Sequence, residues 1–442
     1  MSMKGSSTEL PEGVGLKTEV RGGEMRIIVV TSVVMICLCG LAFSQATEAV
    51  LYSFGAYPTD GTYPEGGLLF DAAGNIYGIT NTGGENCLDN FEFGCGTVYE
   101  LSPALSGGWA ETILYNFCST GNPSSCPDGS YPSAGLIMDA KGNLYGTASG
   151  GGTGGEGTIF RLSPPSVQGG SWTQTVLWSF SENPENGAGP GYGKLNMDAA
   201  GNIYGTTVGG GSKRLGTVFE LSPQSDGTYS FSILHSFSGG DGYGPEYGVT
   251  FDSAGNLYGT TAQGGEGKPI CHFGCGLIYK LTEADGTWTE TVLFEFDGII
   301  GAYPISPISI DKLGNLYGTV DEGGSADCLL PTCGGVFKLV PGTNQKYVFY
   351  FSGGSNDGNP QNGVVVGEAN TLYGTAGLSG GGEVYILQNS HETILYNFCS
   401  LPNCADGSIP SVGNIVLREG ALYGATVVGG TNGLGVVYSV TK

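Results

Sequence analysis

One phrase, repeated along the chain, limits what this sequence can fold into. FDAAGNIYGIT at 70–80 returns as MDAKGNLYGTA at 138–148, MDAAGNIYGTT at 197–207, FDSAGNLYGTT at 251–261 and IDKLGNLYGTV at 310–320. Two decayed copies follow, VGEANTLYGTA at 366–376 and LREGALYGAT at 417–426. A second phrase trails each copy, as in GTVYELSP at 96–103 and GTVFELSP at 216–223. A third closes the unit, as in ILYNFCS at 113–119, VLWSFSE at 176–182 and ILHSFSG at 233–239. The phrases are short, rich in β-branched and aromatic residues, and bounded by Gly, Pro, Asn or Asp. That is strand-and-turn chemistry, and no helical period appears after residue 46.

Each unit reads as four strands. Strand A is the apolar run after a proline, such as GLIMD at 135–139, and D-A-x-G-N is a tight turn with Gly in the left-handed position. NLYGT is strand B, GTVFELS strand C and TVLYSF strand D. Seven such units spell an all-β, seven-bladed β-propeller of four-stranded blades. The last unit stops after strand C at Thr441–Lys442, whereas AVLYSFG at 49–55 is a strand D with no A, B or C before it. Residues 49–54 are therefore expected to pair with 434–440 and close the ring, which removes the exposed sheet edges. The chain divides into residues 1–46 and a single propeller domain, 47–442.

Residues 27–43, IIVVTSVVMICLCGLAF, form an apolar run after Arg26, followed by the small residues of SQATEA. This is the pattern of a secretory signal peptide. Met25 offers a second start, giving MRIIVV directly. The run is at the short limit for spanning a bilayer, so no stable membrane span is expected after cleavage. No lipobox surrounds Cys37 or Cys39, and GLGVVYSVTK at the C-terminus carries no hydrophobic tail. Gly makes up 82 of 442 residues and charged residues only 13%, but 40% hydrophobic content supplies a large core.

Units of the form G-L-x-x-D-x-x-G-N-L-Y-G-T, then G-T-V-F-E-L-S-P, then T-V-L-Y-S-F, resemble the GloVer-type tandem repeat of exported bacterial proteins, the choice-of-anchor repeat proteins. The resemblance covers nearly all of 49–442 and holds in phrase order. It implies a secreted, periplasmic or cell-surface propeller without a settled activity. The D-x-x-G-N phrase is more distantly similar to repeats in streptogramin lyase and other exported propellers, whose functions are diverse.

The formal charge is −24, and removal of residues 1–46 leaves it unchanged because four basic and four acidic residues go together. An acidic surface repels phosphate backbones, so nucleic acid is excluded as a partner. Cations, neutral glycans and basic partners stay open, with plain solubility the simpler reading. A monomer is expected.

In a propeller, strand A lines the central channel, and the D-to-A and B-to-C loops share one face. The A-to-B turn is nearly uniform here and the other loops vary, so specificity is expected on the variable face. Ten cysteines lie there as five close pairs: Cys87/Cys95, Cys118/Cys126, Cys271/Cys275, Cys328/Cys333 and Cys399/Cys404. In an exported protein such pairs read as disulfides that pin loops. A metal reading needs a Cys-x-x-Cys clamp or converging His, and only Cys271-His272 comes near.

A D-G-x-x-P phrase before strand A gives Asp60, Asp128, Asp241 and Asp406, with Asp357 in a shorter copy; Tyr63, Tyr131, Tyr243 and Tyr303 lie in the same segments. By ring geometry they are expected around the channel mouth, as contacts to a sugar or as carboxylate ligands, with calcium the cation they suit. The competing and favoured reading is turn chemistry, since Asp-Gly bonds its own backbone. Otherwise no cofactor or metal is expected. Of three histidines, His235 and His391 sit in or beside strand D and His272 lies in a disulfide loop. No Ser-His-Asp or paired-Glu set stands out. The leading expectation is a non-enzymatic module binding a glycan, cell-envelope component or protein. A lyase or hydrolase with its site at the channel mouth is the alternative.

Overall fold

The repeated phrases become seven antiparallel sheets arranged in a ring. The computed structural model describes residues 46–441, apart from 56–57, 88–93, 121–124, 168, 182, 184–185, 268–270, 324–333, 344, 352–359, 361 and 378–380. The signal-like run, Asp357, Cys328 and Cys333 lie outside the described residues.

Blade 1 shows the plan. Strand A is Gly61–Phe70, B is Ile76–Gly83, C is Thr97–Pro103 and D is Trp109–Asn116, hydrogen bonded in that order from the channel outward. Blades 2 to 6 follow in chain order. Blade 7 takes its three inner strands from the C-terminal end of the chain and its outermost strand, Thr47–Ser53, from the beginning. That strand pairs antiparallel with Val436–Thr441, from Thr47 opposite Thr441 to Ser53 opposite Val436. The expected closure is thus observed.

Strand A is less regular than its sequence suggests. In blades 2, 3, 5 and 7 it is split into two short pieces, as in Ser130–Pro132 and Ile137–Met138. The cause is the proline at the break, which cannot donate to the ladder. The residue before it is left-handed at Tyr63, Tyr131, Tyr303 and Ile409, with φ of 53 to 58°.

The turn after strand A is held by its own carboxylate. Asp198 Oδ1 accepts the Asn202 N–H (2.9 Å), and its Oδ2 accepts the Asn202 amide (2.8 Å) and the Tyr204 hydroxyl (3.2 Å). The same set recurs at Asp71, Asp139, Asp252 and Asp311. D-x-x-G-N-x-Y is one hydrogen-bonded unit, so its uniformity is structural.

Two packing devices join the blades. The Phe of each strand D meets an aromatic ring on strand C of the next blade, edge-on or tilted, at 4.7 Å (Phe398–Tyr438) to 5.8 Å (Phe180–Phe219). The Gly of strand B makes room for that ring: a Cβ on Gly424 would lie 2.4 Å from the Tyr438 hydroxyl oxygen. The proline of each strand A packs on the Gly that opens the preceding strand C. Pro64 on Gly435 makes this contact across the closure, as Pro132 on Gly96 does between blades 1 and 2.

Candidate functional site at the channel mouth

Four of the five expected disulfides are described: Cys87–Cys95, Cys118–Cys126, Cys271–Cys275 and Cys399–Cys404. They pin B-to-C and D-to-A loops. Two backbone bonds between blades end on bridged cysteines: the Tyr131 and Tyr303 amides donate to the carbonyls of Cys95 and Cys275. Tyr63 donates likewise to Leu434 and Gly244 to Leu215, whereas Tyr243 pairs with Gln263 of its own blade.

The described Asp-Gly aspartates turn away from the channel, toward the outermost strands. Asp128 Oδ2 accepts the Tyr115 hydroxyl at 2.6 Å and the Ser119 N–H at 2.8 Å. Asp406 repeats this with Tyr396 (2.8 Å) and Ser400 (2.9 Å). Asp60 accepts from Tyr52 (3.1 Å) and the Gly55 N–H (2.9 Å). Asp241 takes the Ser238 N–H (2.7 Å) and sits 3.2 Å from His235 Nε2. Burial lowers the His235 pKa, and Asp241 only partly opposes it. Each carboxylate latches the end of a strand D to the loop that follows, which is the turn chemistry of an Asp-Gly pair. His272 and His391 are exposed and lie apart from these clusters.

The channel carries a different set of residues. A cavity of about 500 Å³ runs between the innermost strands, mostly apolar, walled by Leu68, Leu136, Val249, Ile308 and Val365. Among the described residues, neither the Asp-Gly aspartates nor Tyr63, Tyr131, Tyr243 and Tyr303 form its wall. Polar side chains stitch one inner strand to the next. Asn196 donates to the Val249 carbonyl, Thr250 to Ile308 (2.7 Å), Ser309 to Val364 (2.5 Å) and Asn362 to Ser411 (2.6 Å). Between blades 7, 1 and 2 the strands approach instead through Gly413, Gly66 and Gly135.

Lys194 lines this cavity. Its side chain reaches the channel's solvent but is walled by protein, and that desolvation lowers its pKa. Among the described residues it has no ion-pair or hydrogen-bond partner. Two positions nearer the mouth, Tyr192 is 46% exposed and tilts against Tyr247 with ring centroids 6.5 Å apart. Around the tyrosines stand Glu65, Glu246 and Asp321. Burial lifts all three carboxyls, Glu65 to about 7. Both phenols are raised, by burial first and then by the neighbouring Glu246.

Sequence reasoning did not single out these residues, although a signal was present. The start of the phrase before D-x-x-G-N is Gly at 67, 135, 248 and 363, but Lys at 194, Pro at 307 and Asn at 414. Glu65 and Glu246 both directly follow the strand A proline.

These features define a seven-bladed propeller with a lysine-bearing channel opening on a carboxylate- and tyrosine-rich mouth. The chain belongs to the Gloeobacter/Verrucomicrobia repeat family, whose model matches residues 38–190, 88–331 and 272–442. No curated protein sequence matches it. Among solved structures it is similar to the polysaccharide lyase Uly1, at 10% identity and a TM-score of 0.50, covering 88% of this chain and 92% of that one. It is also similar to a putative 6-phosphogluconolactonase from Bacteroides uniformis (12% identity, TM-score 0.42, 74% and 83% covered). A putative gluconolactonase matches at 17% identity and a TM-score of 0.39, with 76% and 90% covered. At 10% identity the likeness to Uly1 is one of fold.

Proposed function

We propose that the protein is an exported binding propeller that takes a glycan-class ligand bearing a carboxylate into the mouth of its central channel. The observation that carries this reading is Lys194, a cation in a mostly apolar channel with no acidic partner among the described residues. An anionic ligand group entering the channel would meet this ammonium in a mostly apolar surround and gain an interaction the free protein lacks. The exposed Tyr192 face, with Tyr247 behind it, suits the apolar face of a sugar ring. Glu65, Glu246 and Asp321 offer hydrogen bonds to sugar hydroxyls. The disulfide-pinned loops on the same face would shape what can approach. Export accords with the four disulfides, and among the described residues no helix is long and apolar enough to cross a membrane.

The test is calorimetric titration of the purified chain with uronate-containing and neutral oligosaccharides. Uronate binding that Lys194→Ala weakens tenfold or more, with the fold intact by circular dichroism, supports the reading. Uronate binding that Lys194→Ala leaves unchanged, or no binding, removes it.

A second reading, a lyase or hydrolase at the same mouth, is favoured by one observation. A carboxyl brought to about 7 is half protonated at neutral pH and can give or take a proton. Polysaccharide lyase Uly1 shares the fold, but the fold alone does not transfer its activity. Chain shortening of a bound oligosaccharide, lost in Glu65→Gln, would establish catalysis over binding alone.

A further inference from the structure

Two of the disulfides are not independent. Cys87 and Cys95 belong to the B-to-C loop of blade 1, and Cys118 and Cys126 to the connection from blade 1 into blade 2. Yet all four Sγ atoms lie within 4.8 Å of one another, and all four residues are buried. Cys87 Sγ and Cys126 Sγ, which belong to different bridges, are 4.0 Å apart.

The backbone fixes this convergence. The Cys126 carbonyl accepts the amides of Gly129 and Gly152, the Cys118 amide donates to Gly129, and the Cys95 carbonyl accepts from Tyr131. The Asn86 side chain ties the Cys87 loop to the carbonyls of Asn116 and Phe117. A zinc tetrathiolate has Zn–S bonds of about 2.3 Å, so its sulfurs stand roughly 3.8 Å apart. Sulfurs of different bridges already stand near that spacing, Cys87 Sγ and Cys126 Sγ at 4.0 Å and none beyond 4.8 Å, so reduction need only part each bridged pair by about 2 Å. The bridges Cys271–Cys275 and Cys399–Cys404 have no such neighbour among the described residues.

We propose that Cys87, Cys95, Cys118 and Cys126 form one redox-gated metal site. Oxidised, it is two adjacent disulfides. A dithiol reductant opens each bridge with two electrons and two protons and closes to its own disulfide, leaving four thiols. One divalent zinc ion then binds as the thiol protons leave to solvent, giving a closed four-sulfur site. Either state cross-links the blade 1 loop to the blade 2 connection, so the site would hold that junction under oxidising and reducing conditions alike.

The experiment uses the full chain, reduced under anaerobic conditions and titrated with Co2+ as a spectroscopic stand-in for Zn2+. The expected result is one ion per chain with the intense visible bands of tetrahedral thiolate cobalt, displaced by zinc. Cys118→Ser should lose those bands and Cys271→Ser should keep them. Absence of the bands in the wild-type chain, or their survival in Cys118→Ser, overturns the proposal. If reduction abolishes the near-ultraviolet dichroism, zinc-dependent recovery of that signal is read instead, and no recovery overturns the proposal equally.

Discussion

The Tyr52 hydroxyl lies 3.0 Å from Glu111 Oε2, joining the N-terminal strand that completes blade 7 to the outermost strand of blade 1. The same hydroxyl lies 3.1 Å from Asp60 Oδ2. A phenol has one proton for these two acceptors, so a proton on Glu111 supplies the second bond. Burial and the Asp60 charge raise Glu111 to about 8. Burial, then the charge of Asp406 or Asp241, likewise brings Glu48 and Glu290 at related grooves to about 7. Because Glu111 has its folded pKa above its unfolded value of 4.5, its stabilising contribution is complete below 4.5 and is lost as pH rises toward 8. Blade 2 carries the neutral counterpart: Gln174 donates to the Asp128 carbonyl at 2.9 Å. Glu111→Gln should therefore stabilise the protein by about 1–2 kcal/mol at pH 8 and change little at pH 4.5. Urea unfolding at the two pH values checks this, and equal effects at both would refute it.

Ring closure should be sensitive at one glycine and tolerant two residues earlier. Gly435 has φ of +102°, and a Cβ there would fall 2.4 Å from Pro64 Cδ and 2.5 Å from the Thr426 carbonyl oxygen. Gly433 also has a left-handed φ, +77°, but nothing stands within 4 Å of its Cβ position. Gly433→Ala should cost about 1 kcal/mol, the backbone strain alone. Gly435→Ala should cost roughly 3 kcal/mol or more, since the clash separates the closing strands. Chemical denaturation of both variants tests the difference.

Much of this architecture is legible in the sequence because the repeat exposes it. The strand D phrase at 49–55 predicts its pairing with the C-terminal strand, and the D-A-x-G-N turn predicts its own left-handed glycine. The direction of the Asp-Gly side chains is less legible. Asp128 stands where ring geometry suggests a channel contact, but the nearest donors are Tyr115 on the preceding outermost strand and Ser119 just after it, and they capture the carboxylate. Lys194 escapes for the opposite reason. Repetition draws the eye to what recurs, and a residue facing a channel is free to depart from the repeat because no neighbouring blade constrains it.

Four blades carry Tyr where three carry Phe on strand C, and the difference should be nearly neutral. The hydroxyls of Tyr99, Tyr279, Tyr385 and Tyr438 are buried with no hydrogen-bond partner among the described residues, and Phe160, Phe219 and Phe337 fill the same place. Burying an unpaired hydroxyl is unfavourable, whereas the ring supplies the contact with the Phe of the preceding blade. Tyr438→Phe should leave stability unchanged or raise it by about 1–2 kcal/mol. Phe398→Ala removes the ring on the other side of that contact and should cost about 3–5 kcal/mol. Paired thermal and urea unfolding measures both, and a large loss in Tyr438→Phe would show that the hydroxyl is satisfied.

Asp406 should set the acid limit of stability, opposite in sign to Glu111. It is fully buried and accepts the Tyr396 hydroxyl, the Ser400 hydroxyl and N–H, and the Leu401 N–H. Burial works against its charge, but the bonds from Ser400, Tyr396 and Leu401 outweigh it and hold the carboxyl below its ordinary 3.8. A depressed carboxylate contributes stability that is present above 3.8 and lost as pH falls through its folded value. Asp406→Asn keeps the shape but replaces one acceptor oxygen with a donor, so at least one of the four bonds fails. The variant should lose about 2–3 kcal/mol at pH 6, where the wild-type carboxylate is charged, and much less at pH 3. Since Asp406 latches strand D of blade 6 to the loop leading into blade 7, the loss should appear first as faster amide exchange at 399–401. A variant equally destabilised at both pH values would show that packing, rather than the charged latch, holds this loop.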